Sequence, residues 1–395
     1  MKQLFALCLS LCLLMTALPV LGDEARTDIV IPEIETKEHT IPDSEAMAFL
    51  RRMGIGWNLG NTFDAVRDNY FGDDLAIERY WCGVYTSREM IQTLADAGFG
   101  FIRIPVSWHN HVDKDFNINP AWLDRVQEVA DWVLESGMMA IVNVQHDNDK
   151  KYFYPDSEHL DSSLKYLSAI WTQLAERFRD YPDTLLLESM NEPRLVGTSY
   201  EWSFNQNNKT CQDAAACIDT FNQTFVDIVR ASGGNNADRY LLLPGYDAST
   251  DNVNRRYFHL PTDTADNRLI VAAHAYVPYD FALNTKGTDK FSYTRRADVS
   301  PINSALKQLY ELYIKQGVPA VMDEFGCLLK GDNLQARVEH VSYYVANAAS
   351  YGIPVAWWDN NAFAGSGENF GLLRRQDVTW PFPELVEAMM KYKLK

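Results

Sequence analysis

The chain has 395 residues, with 36 Lys and Arg against 53 Asp and Glu, a net charge of −17. That balance argues against nucleic acid and anionic membrane as partners, because both select clustered basic side chains. The length allows one large core, and ten Trp with 20 Tyr suit either an aromatic-rich core or a cleft that stacks flat rings.

Met1–Gly22 reads as a secretory signal peptide: Lys2 supplies the basic end, Leu4–Val20 the apolar stretch, and Val20-Leu21-Gly22 the cleavage site. A membrane anchor is the alternative, since the span is near the lower limit for crossing a bilayer. No other segment is apolar enough to cross, so the mature chain is expected to be exported, extracellular or periplasmic, with no membrane partner. Cys8 and Cys12 leave with the signal, whereas Cys82, Cys211, Cys217 and Cys327 stay. Cys211 and Cys217 either close a small loop or remain reduced. Residues 23–44 are polar, with Pro32 and Pro42, and read as a linker or loosely attached arm. Residues 45–395 form one domain.

Within that domain, strands and helices alternate. A short helix is predicted over Glu45–Met53, then a strand over 54–58 that breaks into a glycine-rich turn. Gly54, Gly56 and Gly60 have the wrong spacing for a dinucleotide fingerprint. Thr86–Ala97 is a helix closed by Gly98, and a strand follows over 99–105. In the helix Pro120–Ser136, Trp122, Val126, Val129 and Val133 share one face. Further strands are predicted over 138–144, 184–189, 239–243, 269–273, 318–322 and 353–358. Helices are predicted over Asp161–Arg179, Ala214–Ser232, Ile302–Gln316, Asn333–Ser350 and Pro383–Lys393. Only the fifth strand lacks a clear helix before the next. Eight such units argue for an α/β fold closed as a (β/α)₈ TIM barrel, with a doubly wound open sheet as the competitor. Long loops at 60–85, 145–160, 193–213 and 274–299 all follow strands, where such a barrel builds its active face.

Polar groups collect at those strand ends: Asn58 and Asn61, Arg103, Gln145-His146-Asp147, Asn191-Glu192, His274 and Tyr276, Glu324, and Trp358-Asp359. A polar residue at one strand end usually satisfies a loop backbone. Their convergence from different strands onto one rim is the functional signal. Two carboxyls at one barrel mouth, Glu192 and Glu324, can perform acid–base and nucleophilic work on a glycosidic bond.

The ordered stretches Gly56–Asn61 (GWNLGN), Phe101–Pro105 (FIRIP), Met190–Arg194 (MNEPR), His274-Ala275-Tyr276, Glu324-Phe325-Gly326 and Trp357–Asn360 (WWDN) resemble glycoside hydrolase family 5, in its endoglucanase-like branch. The resemblance spans about residues 50–390. It implies Glu192 as general acid/base and Glu324 as nucleophile. It further implies Arg103 and Tyr276 as hydrogen-bond donors to the nucleophile, Asn191 as the contact to a sugar 2-hydroxyl, and Trp358 as the platform under the sugar. His274 falls in the matching His-x-Tyr pair. The family usually has His-His after the third strand, where this chain has Gln145-His146; His146 is retained as a supporting residue, and a Gln cannot titrate. A neighbouring carboxylate and a partly dry cleft are expected to push the Glu192 pKa upward.

Retention needs the two carboxyls roughly 5–5.5 Å apart. The expected partner is a β-linked polysaccharide or oligosaccharide, a β-1,4-glucan or else xyloglucan, mixed-linkage glucan or mannan. No cofactor and no metal are expected, and the chain is expected to be a monomer. Two other classes compete: a non-catalytic carbohydrate-binding barrel, and a metal-dependent hydrolase built on His109-Asn110-His111. These two histidines read more simply as a surface loop pair, and Asp147-Asn148-Asp149 as a solvated loop rather than a calcium loop. Tyr70, Phe71, Trp81, Trp108 and Trp202 are candidate stacking aromatics in the long loops.

Overall fold

The computed structural model describes residues 26, 28–67, 74–254 and 256–395. The expected signal peptide, Tyr70 and Phe71 lie outside the described residues. Eight parallel strands close into a barrel in sequence order: β1 Ile55–Leu59, β2 Phe101–Ile104, β3 Met139–Asn143, β4 Leu185–Glu188, β5 Leu241–Ser249, β6 Leu269–His274, β7 Ala320–Phe325 and β8 Val355–Asp359. The β1–β8 pairing, which matches Trp57 with Trp357 and Asn58 with Trp358, completes the ring and rules out the open-sheet alternative. These strands read as apolar runs because both faces are covered, one by the packed interior and the other by the helices.

Among the described residues the helices are α1 Glu45–Met53, α2 Arg88–Ala97, α3 Pro120–Glu135, α4 Leu160–Arg177, α5 Lys209–Ala231, α6 Tyr279–Ala282, α7 Arg296–Leu312, α8 Leu334–Ser350 and α9 Pro383–Tyr392. Ser44 and Ser87 cap α1 and α2 by accepting from backbone amides of the first turn. The predicted face of α3 is fully buried. Among the described residues between β5 and β6 there is only a 3₁₀ turn, Thr250–Asn252.

Two strands, β5 and β7, run three or more residues past their predicted ends. β5 continues through Pro244-Gly245 because Ser249 still pairs with His274 beyond a register shift. β7 continues through Glu324, and it is bulged: Met322 pairs with Ala273 but Glu324 pairs with His274, so Asp323 is the extra residue. A bulge breaks the alternation of side chains along a strand. It allows consecutive carboxylates, Asp323 and Glu324, to reach the same groups inside the barrel. Glu192 lies beyond the end of β4, in the loop that follows.

The arm preceding α1 is attached rather than loose. Ile29, Ile31 and Ile41 pack on the core, Val30 N donates to Gln335 Oε1 of α8 at 2.8 Å, and His39 stacks on Tyr351 with ring centroids 4.0 Å apart. Its alternating isoleucines supply apolar area that a count of polar residues hides.

The loop closed by Cys211 and Cys217 does not form. Both sit on α5, six positions apart in the chain, and all four described cysteines are free and buried. Six helical residues rise about 9 Å, beyond the roughly 7 Å a disulfide tolerates between Cα atoms. Thiol titration is expected to find these four reactive only after unfolding, with no change in thermal midpoint on adding reductant.

Candidate active site

Arg103 on β2 is the centre of the site. All five of its guanidinium donors are used: Nε and Nη2 clamp the Glu188 carboxylate at 2.6 and 2.8 Å, Nη1 donates to Asn58 Oδ1 at 3.0 Å and Glu324 Oε1 at 2.7 Å, and Nη2 donates again to Asn191 Oδ1 at 2.8 Å. Register explains the convergence, since Asn58 pairs with Arg103 across β1 and β2. Burial alone would disfavour the charge, but the surrounding Glu188, Glu324 and Asp323 carboxylates hold Arg103 well above its ordinary pKa. Arg103 thus fixes one oxygen of Glu324. Tyr276 fixes the other, its hydroxyl donating to Oε2 at 2.8 Å. Burial and the negative Glu324 both keep the Tyr276 phenol protonated.

Glu192 meets His274, with Nδ1 to Oε1 at 2.7 Å, and the same Nδ1 lies 3.6 Å from Glu324 Oε2. One carboxylate oxygen of Glu192 and one of Glu324 lie within 4.8 Å of each other, with His274 between them. Burial lowers His274, yet the charge of Glu324 and the hydrogen bond to Glu192 outweigh it and raise the imidazole to about 9. The converse holds for Glu192. Burial raises it, but the bond from His274 and the charges of His274, Arg194 and His146 bring it below its usual value. This corrects the upward shift expected from the sequence: the proton shared by the pair rests on His274, because the imidazole faces several carboxylates at once.

The predicted residues divide accordingly. Arg103, Asn191, Glu192, His274, Tyr276 and Glu324 form one network. Trp358 borders it, packed with Leu328 and Phe370, with Tyr276 alongside. Gly60 makes room for the Trp358 ring, since a Cβ there would lie 2.8 Å from it. His146 stands apart, at the mouth, 3.7 Å from Asp64 and facing the exposed Trp81. Gln145 Oε1 accepts from Asn143 Nδ2 at 2.7 Å. Asp359 serves the scaffold, accepting from Trp57 Nε1 and from the amides of Leu372 and Leu373.

The other candidates are structural. His111 is buried against Trp122, ring centroids 3.6 Å apart, and burial pushes it down to about 3, so it is no surface histidine. Asp147 is likewise buried, accepting from the Trp108 and His109 amides and from Tyr166 Oη. Trp108 is wholly buried with its Nε1 donating to Asn143 O, whereas Trp202 is 62% exposed and stacks under the Arg194 guanidinium at 3.9 Å.

Three participants were not foreseen. Glu188 and Asp323 are acids inside otherwise apolar strands, a pattern that itself marks a buried charge partner. Arg194, in the Asn-Glu-Pro-Arg run, donates to Glu192 O at 2.9 Å. Glu192, His274 and Glu324, and separately Glu188, His274 and Asp323, bring donor atoms close enough to hold a metal. Arg103 pairs with Glu188 of one group and Glu324 of the other, so each already faces a cation within the protein.

A family model described as cellulase (glycosyl hydrolase family 5) matches residues 61–364. Endoglucanase B of Ruminococcus albus is 41% identical over 375 residues, covering 94% of this chain and 86% of that protein. The structure of a mutant family 5 lichenase from a Caldicellulosiruptor species, in complex with cellotetraose, superposes with a TM-score of 0.91 at 47% identity, over 92% of this chain and 99% of that one. A broad-specificity endoglucanase from Ruminococcus champanellensis with bound cellotriose gives 0.82 at 42% identity, over 89% and 100%. Together with the closed eight-stranded barrel, these similarities establish that the chain belongs to glycoside hydrolase family 5.

Proposed function

We propose that this retaining glycoside hydrolase is a secreted endo-β-1,4-glucanase in which Glu324 is the nucleophile and Glu192 the general acid/base. The observation that carries the reading is that one oxygen of each carboxylate lies within 4.8 Å of the other, with His274 between them. That spacing supports attack by the enzyme itself, since inversion needs roughly 6.5–9.5 Å to admit a water. Met1–Gly22 supports export, and one carbohydrate-binding barrel acting as a monomer is sufficient for the chemistry.

Glu324, held in place by Arg103 and Tyr276, attacks the anomeric carbon as the glycosidic bond breaks. Forming the ester removes its charge, and with it a principal attraction holding the proton on His274. The proton passes through Glu192 to the departing oxygen. Glu192, now ionised beside a neutral imidazole, takes a proton from the incoming water, which displaces Glu324 and restores its charge. Asn191, anchored by Arg103 through its Oδ1, keeps its amide NH₂ to meet the 2-hydroxyl. Trp358 lies under the adjacent sugar, and the exposed Trp81 and Trp202 stack further residues of the polymer.

A mixed-linkage glucan is the second reading, favoured by the similarity to a lichenase. Carboxymethyl-cellulose, lichenan, xyloglucan and mannan are to be digested, following viscosity, reducing ends and the product anomer by NMR, with and without a chelator. Expected are an early fall in viscosity, β-configured new ends, and indifference to the chelator. An α-configured first product, or loss of activity with the chelator, rejects the mechanism.

A further inference from the structure

Asp323 is wholly buried, and neither of its carboxylate oxygens has a hydrogen-bond partner among the described residues. The same is true of His274 Nε2. These orphans face each other: Asp323 Oδ1 lies 3.5 Å from His274 Nε2, and Asp323 Oδ2 lies 3.6 Å from Arg103 Nε. Unpaired buried polar atoms are costly, and two at this distance are relieved together by a proton between them after a small approach. The β7 bulge places Asp323 there, behind the ring, while Glu324 lies in front.

We infer that Asp323 is a positioning residue whose carboxylate keeps His274 protonated on both ring nitrogens, so that Nδ1–H points at Glu192. The inference rests on the reading of Glu192 as acid/base. The Asp323 charge is one of those that favour the imidazolium, whose two ring hydrogens point one at Asp323 from Nε2 and the other at Glu192 from Nδ1. Burial and the Glu188 charge push Asp323 up to about 7, and the charges of Arg103 and His274 oppose them. The charged groups around it are Arg103 from β2, Glu188 from β4, His274 from β6 and Glu324 from its own strand, with Glu192 beyond the ring. An amide at position 323 removes the constraint. Without the charge the imidazolium is less favoured, and in the neutral ring the amide oxygen would accept from Nε2–H and leave Nδ1 bare, turning the hydrogen bond with Glu192 around; an acid–imidazole pair in the wrong tautomer is catalytically poor.

The test compares Asp323→Asn with Glu192→Gln on two substrates: cellopentaose, whose leaving group needs a proton, and 2,4-dinitrophenyl β-cellobioside, whose leaving group does not. Asp323→Asn is expected to lower kcat/KM on cellopentaose by roughly 10–100-fold and to leave the aryl glycoside within about twofold. Equal loss on both substrates, or loss on neither, overturns the inference, provided Glu192→Gln shows the split. If Glu192→Gln itself shows no split, the acid/base reading falls first and this inference with it. Independently of whether the variant folds, ¹⁵N-histidine NMR of the unmodified protein, assigned with His274→Asn, is expected to show a proton on His274 Nδ1. A bare Nδ1 overturns the inference.

Discussion

Glu324→Gln is expected to reduce kcat on β-glucan by roughly four orders of magnitude or more while the protein stays folded. The amide preserves the shape: its oxygen still accepts from Arg103 Nη1, and Tyr276 retains a neighbour. It cannot form a glycosyl ester of comparable leaving ability. The fold should lose little, because Arg103 keeps its two bonds to Glu188. Removing one negative charge also relieves the crowding felt by Asp323, for which Glu324 is one of the raising charges. These gains offset part of the attraction that His274 and Arg103 lose, and the melting temperature should fall by only a few degrees. A Gln variant that keeps turnover, or that melts early and loses activity only through unfolding, would mean that Glu324 is a buried ion-pair partner and nothing more.

The same variant should change the titration of His274. Its folded pKa of about 9 lies above the ordinary 6.5, chiefly through Glu324 once burial is overcome. A raised pKa stabilises the fold fully below the unfolded value, and that contribution is lost as pH rises through about 9. In Glu324→Gln the loss should begin at lower pH, which a series of thermal melts across the alkaline range would read directly.

Glu192→Gln should separate the two halves of the reaction. On polysaccharide, where the leaving oxygen must be protonated, activity is expected to fall roughly 10²–10⁴-fold. On an aryl glycoside with an acidic phenol, formation of the glycosyl enzyme should be nearly unaffected, and its hydrolysis, which needs the base, should become slow. A burst of phenol followed by a slow steady state is the expected trace. Equal impairment of both steps on both substrates is incompatible with an acid/base role.

The barrel was legible because its determinants are local. Apolar runs such as Leu185–Leu187 and Val318–Met322, each reached from a helix closed by a turn, repeat often enough to name the architecture. The positions of Glu192, His274, Tyr276 and Glu324 followed from strand ends, since a barrel brings the ends of all its strands to one face. Glu188 escaped notice because it reads as the last residue of a buried strand, and its meaning depends on Arg103, 85 residues earlier in the chain. The status of Asp147 and His111 was equally non-local: only the packing of α3 and α4 against their loops turns them from solvated to buried.

The sequence by itself determined the eight-stranded barrel and the two acids at its mouth, because hydrophobic periodicity and strand-end placement are properties of short segments. Only the tertiary structure decided where the charges rest. The single bulge in β7 turns two successive carboxylates toward one histidine and one arginine, and the combined field of Glu324, Asp323 and Glu192 then favours the charged form of His274. A pKa is set by every charge within a few ångströms, and those neighbours come from five different strands and loops.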